Sequence, residues 1–315
     1  MSKILETSEK IKKSVTQVFK GNDSLVEMIL ACIFSGGHVL LEDVPGTGKT
    51  VLAKALAKST GLDFSRVQCT PDLMPSDITG SSVWLPSKQE FEFRPGPVMS
   101  SVLLVDELNR ATPRTQSALL ECMAEKQISV DGKILKLDSP FFVIATQNPI
   151  ESEGTFPLPE AQKDRFMMTL SLGYPDEKSE IQIICAQNST VHPVENVSAV
   201  VTKEDILSCM EEAVSIHVEE SVLSYLLELV KLSRSDSRIA AGVSPRGSIA
   251  LYKACQAYAA VKGRAYVIPE DVKLLAQPVF RNRIILHSDA SLKGFTTENI
   301  ITEFIEQTPL PAFKI

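Results

Sequence analysis

One short stretch constrains this chain more than any other. An apolar run, His38-Val39-Leu40-Leu41, leads into a glycine loop ending in Lys49-Thr50, and a second apolar-rich run follows from Val51 to Ala57. The first run reads as a buried strand and the last as a helix, so the loop joins strand to helix. Gly46 and Gly48 let backbone N–H groups turn toward one point, and the helix N-terminus adds its positive dipole there. Such a cradle binds phosphate. Lys49 can reach β- and γ-phosphates, and the Thr50 hydroxyl can ligate Mg²⁺. The expected nucleotide segment is Asp43, Val44, Pro45, Gly46, Thr47, Gly48, Lys49, Thr50 and Val51. The generic pattern asks for glycine six residues before the lysine, where this chain has Asp43. An ordinary glycine turn is the competing reading, and the strand–loop–helix context argues against it.

A chain of 315 residues is too long for one small core, so two domains are expected. The net charge of −7 argues against a basic nucleic-acid footprint over the whole surface. Cysteines at 32, 69, 122, 185, 209 and 255 form no CxxC pair and lie in apolar contexts, which reads as buried free thiols in a reducing compartment. The four histidines are too scattered for a metal-ligand cluster. The apolar run from Met28 to Phe34 is too short to span a bilayer, and no uninterrupted hydrophobic signal segment is visible. A cytoplasmic protein without membrane insertion is the expectation.

Hydrophobic spacing predicts amphipathic helices over 8–19 and 23–35, the second capped by Asn22 or Asp23 and stopped by Gly36-Gly37. Five short apolar strands follow, at 38–42, 64–69, 101–106, 141–147 and 167–172, with connections long enough for parallel crossovers. Alternation on both sides of a polar turn predicts a hairpin within 81–99, and Asp131-Gly132 predicts another at 128–137. From about residue 202 the pattern is helical, with candidates at 202–214, 219–233, 245–262 and 269–277. Thr202 to Asp205 reads as a capping box, and Ser244-Pro245 as a cap before a first-turn proline.

The strand Ser101 to Asp106 ends in two carboxylates. Asp106 at the tip can hold Mg²⁺ through water, and Glu107 can act as general base toward an attacking water. A solvated strand end is the bland alternative, weakened by the glycine loop. Asn148 follows a further apolar strand and can orient that water; by itself, an Asn before Pro149 reads equally as a turn former.

Together these strands bring a family into view. The chain resembles the AAA+ ATPases, specifically the MoxR family, from about residue 15 to residue 290. The resemblance rests on LLEDVPGTGKT at 40–50, TPDLMPSDITG at 70–80, FRPGPV at 93–98, VDELNRATPRTQSALLECMAE at 105–125, IATQNPIESEGTFPLPEAQKDRF at 144–166 and GVSPRGSIAL at 242–251. The Asp43 departure is itself usual in that family.

The resemblance implies a P-loop αβα sandwich with a five-stranded parallel sheet at 1–172, a connector at 173–201 and a smaller all-α lid at 202–315. Lys49 and Thr50 match the Walker A lysine and magnesium hydroxyl, Asp106 and Glu107 the Walker B pair, and Asn148 sensor 1. Arg165 matches the arginine finger that reaches into a neighbouring subunit, and Arg246 matches sensor 2 on the lid. The hairpins match the helix-2 insert and the pre-sensor hairpin. The nucleotide is expected in the crevice between core and lid, held by Lys49 and Arg246, with Arg246 carried on a mobile domain.

The expected activity is Mg²⁺-dependent ATP hydrolysis in a ring, a hexamer by family. The leading expectation is a chaperone-like remodelling motor acting with a von Willebrand factor A-type partner or another client protein. A slow nucleotide-dependent scaffold and a DNA-associated motor are the alternatives, and no nucleic-acid partner is expected. Arg110 and Arg114 read either as interface or as solvated helix-face charges. Arg281 and Arg283 read as surface residues or interface contacts, and Leu119, Leu120 and Met123 as core. Trp84 reads as a packed hairpin aromatic, with a partner anchor as the other reading.

Overall fold

A computed structural model describes residues 2–44, 46–148, 154–186 and 192–311. Pro45 of the glycine loop therefore lies outside the described residues, as does the 149–153 part of the motif after Asn148.

Helices α1 (Lys3–Val18) and α2 (Asp23–Phe34) come first, and the Asn22 side chain caps α2 by accepting from the Ser24 N–H at 2.9 Å. The core continues with β1 (Val39–Glu42), α3 (Lys49–Thr60), β2 (Phe64–Gln68) and the short α4 (Pro75–Thr79). A hairpin of β3 (Gly80–Leu85) and β4 (Glu90–Pro95) leads to β5 (Val102–Asp106) and α5 (Pro113–Glu125). A second hairpin, β6 (Gln127–Val130) and β7 (Lys133–Lys136), precedes β8 (Phe142–Gln147), α6 (Glu160–Lys163) and β9 (Met168–Leu170). Beyond α7 (Glu177–Ala186) come α8 (Lys203–Val214), α9 (Glu220–Ser235), β10 (Ile239–Ala241), α10 (Pro245–Val261) and α11 (Pro269–Phe280). The short β11 (Ile285–Leu286), α12 (Ser288–Leu292) and α13 (Thr297–Gln307) end the described chain.

Five strands form one parallel sheet in the order β2-β5-β8-β1-β9. β1 and β5 are buried along their whole length, as a sheet covered on both faces requires. Register then decides what meets at the carboxyl ends. Gln68 lies opposite Asp106, and Glu42 lies opposite Gln147. The loops that follow β1, β5 and β8 therefore open on one edge, where open α/β sheets place their ligands.

The helical C-terminal part meets that edge at Glu42, through Arg281 and Asn282, and packs mainly on the N-terminal helices. α10 packs on α2, and α8 packs on α1 and α2. Ile4, Ile11 and Ile29 share one continuous apolar cluster with Ile206, Cys209, Leu251 and Val272. Glu27 on α2 is buried, and Lys262 at the end of α10 donates to it at 3.0 Å while Lys12 donates at 3.1 Å. A shared apolar core joins the expected lid to the N-terminal helices.

Smaller departures have local causes. The capped helix α13 was missed, although Thr296 caps it and Ile300, Ile301 and Phe304 bury one face. β10 and β11 form a short antiparallel pair in the half expected to be purely helical. Five of the six thiols are buried as expected, and Cys185 on α7 is exposed. Leu119, Leu120 and Met123 are core. Trp84 is 48% exposed, edge-on to Phe91 with ring centroids 5.2 Å apart.

Candidate nucleotide site

The glycine loop takes the shape its sequence requires. Gly46 and Gly48 have φ of 87° and 88°, in the left-handed region that a side chain resists. A Cβ at Gly46 would meet nothing within 4 Å, so the loop faces open space. Gly48 is the N-cap of α3, which places Lys49, Thr50 and Val51 in its first turn. Lys49 Nζ donates to the carbonyls of Asp43 at 2.8 Å and Val44 at 3.2 Å. Burial holds its pKa below the ordinary lysine value, with Asp43, Asp106 and Glu107 pulling the other way. Those opposing carboxylates bring Lys49 and the tip of β5 into one electrostatic neighbourhood.

Asp43 explains its own departure from the generic loop. Its buried carboxylate accepts from the Ser171 hydroxyl at 2.9 Å, the Leu172 N–H at 2.5 Å and the Gly173 N–H at 3.2 Å. A glycine there would leave the segment after β9 untied from the loop.

Asp106 is buried at the end of β5 and accepts from Arg66 Nε at 2.7 Å and the Thr146 hydroxyl at 3.3 Å. Glu107 adopts φ 56°, ψ 49°, an uncommon conformation for a non-glycine residue, with its N–H held by Thr146 Oγ1 at 2.9 Å. Its carboxylate accepts from Gln68 Nε2 at 3.0 Å and Arg110 Nη1 at 2.9 Å. Asn148 is buried just past β8, and its carbonyl accepts from Asn109 Nδ2 at 3.4 Å. Arg66, Gln68 and Thr146 were missed in the sequence. The alternation of Arg66 and Gln68 on β2 was the available signal, but only the β2–β5 register shows that they reach the carboxylates.

A cavity of about 600 Å³ opens beside the loop, a size suited to a small-molecule ligand. Gly46, Thr47, Gly48 and Val51 line it together with Phe19, Asn22 and, from the connector, Tyr174 and Ile183. Among the described residues, none from the lid helices lines it. The hydroxyl of Thr50 and the carboxylate of Asp106 are hard oxygen donors of the kind Mg²⁺ takes alongside phosphate, so the donor set fits that ion.

The two remaining candidate arginines lie elsewhere. Arg165 and Arg246 both line a second cavity, of about 450 Å³, with Lys126 and Lys253. Arg165 Nη1 donates to the Leu120 carbonyl at 3.0 Å. Arg246, 60% exposed, is 4.0 Å from Asp164, the neighbour of Arg165. Arg246, expected to hold phosphate beside Lys49, lies at the N-terminus of α10, which packs against α2 and opens on the other cavity.

Arg283 organises this second constellation. Expected at the surface or at an interface, it is buried within the chain, and it donates to Asp164 Oδ1 at 2.6 Å and to the carbonyls of Asp164, Phe166, Met167 and Val279. Burial pulls its pKa down, and Asp164 opposes that shift. Arg281 pairs with Glu42 at 3.2 Å and Glu298 at 2.9 Å, tying the lid to the strand that carries the glycine loop. Glu42 also accepts from the side chain of Gln147, beside Asn148.

A glycine loop between β1 and α3, a two-carboxylate tip on β5 and a polar tip on β8, all on one edge of a 2-5-8-1-9-ordered parallel sheet, define a P-loop nucleotide-binding ATPase of the AAA type. Residues 38–168 match the model of the ATPase family associated with various cellular activities, and 231–304 match an AAA lid domain. A Bacillus subtilis protein named YeaC is 46% identical over 96% of this chain and 94% of its own length. Chaperone MoxR1 of Mycobacterium tuberculosis is 38% identical over 98% of this chain and 83% of its own. A crystal structure from Cytophaga hutchinsonii, described as a candidate ATPase, superposes with a TM-score of 0.90 at 40% identity, covering 98% of this chain and 97% of that one. The chain belongs to the MoxR family of AAA+ ATPases. No helix among the described residues is long and apolar enough to cross a membrane.

Proposed function

We propose that this chain hydrolyses ATP in a Mg²⁺-dependent reaction at sites completed between protomers of a ring, and that it uses the cycle to remodel partner proteins. Lys49 and the N–H groups of Gly46 to Thr50 hold the phosphates. Glu107 takes the proton of the attacking water, and Asn148 orients that water. Thr50 and, through water, Asp106 would hold Mg²⁺, which would supply positive charge against the phosphates. Arg165 and Arg246 together serve the nucleotide of the adjoining protomer.

The observation that carries this reading is the pairing of Arg165 with Arg246 in a cavity that their own glycine loop does not share. Cations aimed at a phosphoryl group act through charge developing in the transition state, so they must be delivered to it. An arginine supplied from a partner accelerates such reactions by roughly three to five orders of magnitude.

Mixing two dead variants tests this. Glu107→Gln lacks the base but keeps Arg165, while Arg165→Ala lacks the arginine but keeps Glu107. Mixed, they form some complete sites, so phosphate release is expected to reappear and turnover per chain to rise with concentration. Mixtures as inactive as either variant alone refute the reading.

The client is proposed to be a protein, such as one with a von Willebrand factor A-type domain, in keeping with the chaperone name of the Mycobacterium tuberculosis relative. Glu107→Gln with ATP is expected to trap it. Recovery of the same proteins without nucleotide counts against the remodelling role.

A further inference from the structure

Helix α7 divides into two faces. Ser179, Ile183 and Ala186, spaced by four and three, line the nucleotide cavity. The opposite face carries Glu177, Glu180, Ile181 and Ile184 at the same spacing. None of the ten residues is buried; Ile181 is 54% exposed and Ile184 64%. One face lines the cavity, and among the described residues the other, part apolar and part acidic, is left exposed.

The mouth of the second cavity has the opposite character. Val214 is 75% exposed and Ile249 56% exposed, and both line that cavity with Lys126, Lys253 and Arg246. Exposed apolar groups beside unlike charge mark interaction sites. One surface is apolar and acidic, the other apolar and basic, and they belong to different parts of the chain. Two unlike complementary patches make a heterologous, head-to-tail contact, which closes into a ring when the rotation allows.

We propose that the outward face of α7 in one copy seats against Val214 and Ile249 of the next copy, with Glu177 and Glu180 facing Lys126 and Lys253. This contact rests on the proposed sharing of arginines between protomers and names the surfaces that bring it about. Because α7 also walls the nucleotide cavity through Ile183, the contact joins the ligand of one copy to the arginine pair of the other.

Cys185, the exposed thiol on α7, supplies the test. In the full chain carrying Glu107→Gln, with ATP, Val214→Cys or Ile249→Cys and a short bismaleimide are expected to give a covalent ladder between chains. Adding Cys185→Ser abolishes it. Separately, Ile181→Asp with Ile184→Asp is expected to raise the assembly midpoint in sedimentation by at least about tenfold, given two apolar side chains removed from the contact. Binding of fluorescent ADP and the circular dichroism spectrum, unchanged, report that the fold and the nucleotide cavity survive. Glu180→Lys and Lys253→Glu should each weaken assembly, and the combination should restore it. No ladder and no shift in midpoint, while mixed Glu107→Gln and Arg165→Ala chains still regain turnover, overturn this contact alone and leave the shared site standing. A ladder without regained turnover upholds the contact and overturns the shared site.

Discussion

Replacing Asp43 shows how much the unusual loop residue contributes. In Asp43→Ala, the Ser171 hydroxyl and the N–H groups of Leu172 and Gly173 lose one charged acceptor. Hydrogen bonds to a charged group contribute about 1.5–3 kcal/mol each. The three do not add in full, because Leu172 and Gly173 line an open cavity where water re-pairs their N–H groups. The expected net loss is therefore about 2–4 kcal/mol. An asparagine side chain keeps one acceptor oxygen but turns an NH₂ toward donors, so Asp43→Asn should fall between parent and alanine. Asp43→Gly restores the generic motif yet should be the least stable, by a further roughly 0.5–1 kcal/mol of backbone entropy. Urea unfolding of the nucleotide-free chain gives this order. ADP affinity should drop about tenfold in Asp43→Ala, since the untied 171–173 segment must be ordered on binding. An alanine variant within about 0.5 kcal/mol of the parent, or a glycine variant that binds ADP as tightly, refutes the reasoning.

Three further outcomes are expected. Arg283→Met leaves Asp164 and four carbonyls without their donor, so it should destabilise the chain by about 3–5 kcal/mol in urea unfolding; a smaller loss than about 1 kcal/mol contradicts its anchoring role. His38 accepts from the Val143 N–H at 3.0 Å, and burial lowers its pKa from 6.5 to about 4. The unfolded chain binds that proton first, so the His38 contribution is whole above about pH 6.5 and is lost as pH falls toward 4, in total roughly 3 kcal/mol. His38→Gln should flatten that part of the stability profile; parallel profiles for parent and variant sink the assignment. Glu27→Leu removes the buried partner of Lys12 and Lys262, whose side chains are 21% and 42% exposed, and should cost about 1 kcal/mol without changing ADP affinity; weakened ADP binding would show that the junction reaches the nucleotide cavity.

Local pattern carried much of the fold. The strand at 39–42, the left-handed glycines at 46 and 48, the carboxylate tip at 106–107 and the Ser244-Pro245 helix start all follow from hydrophobic spacing and turn chemistry a few residues long. These are decided by sterics and capping that neighbours in sequence supply. Arg283 was misread for the opposite reason: a guanidinium is buried only when distant carbonyls surround it, and those of Phe166 and Met167 are more than a hundred residues away in sequence. Helix α13 is legible in the same local terms, from the Thr296 cap and the spacing of Ile300, Ile301 and Phe304.

The sequence by itself therefore determined the chemistry available: a phosphate-binding loop, paired carboxylates and two arginines, each within a recognisable element. Only tertiary packing decided where those groups point. The apolar stripes of α8 and α10 say that they must be buried, not against what. Burying them on α1 and α2 places Arg246 in one cavity with Arg165, a cavity that the glycine loop does not line. Hydrophobic burial is non-directional, so the same stripes satisfy several dockings, and the side-chain fit between distant helices selects one.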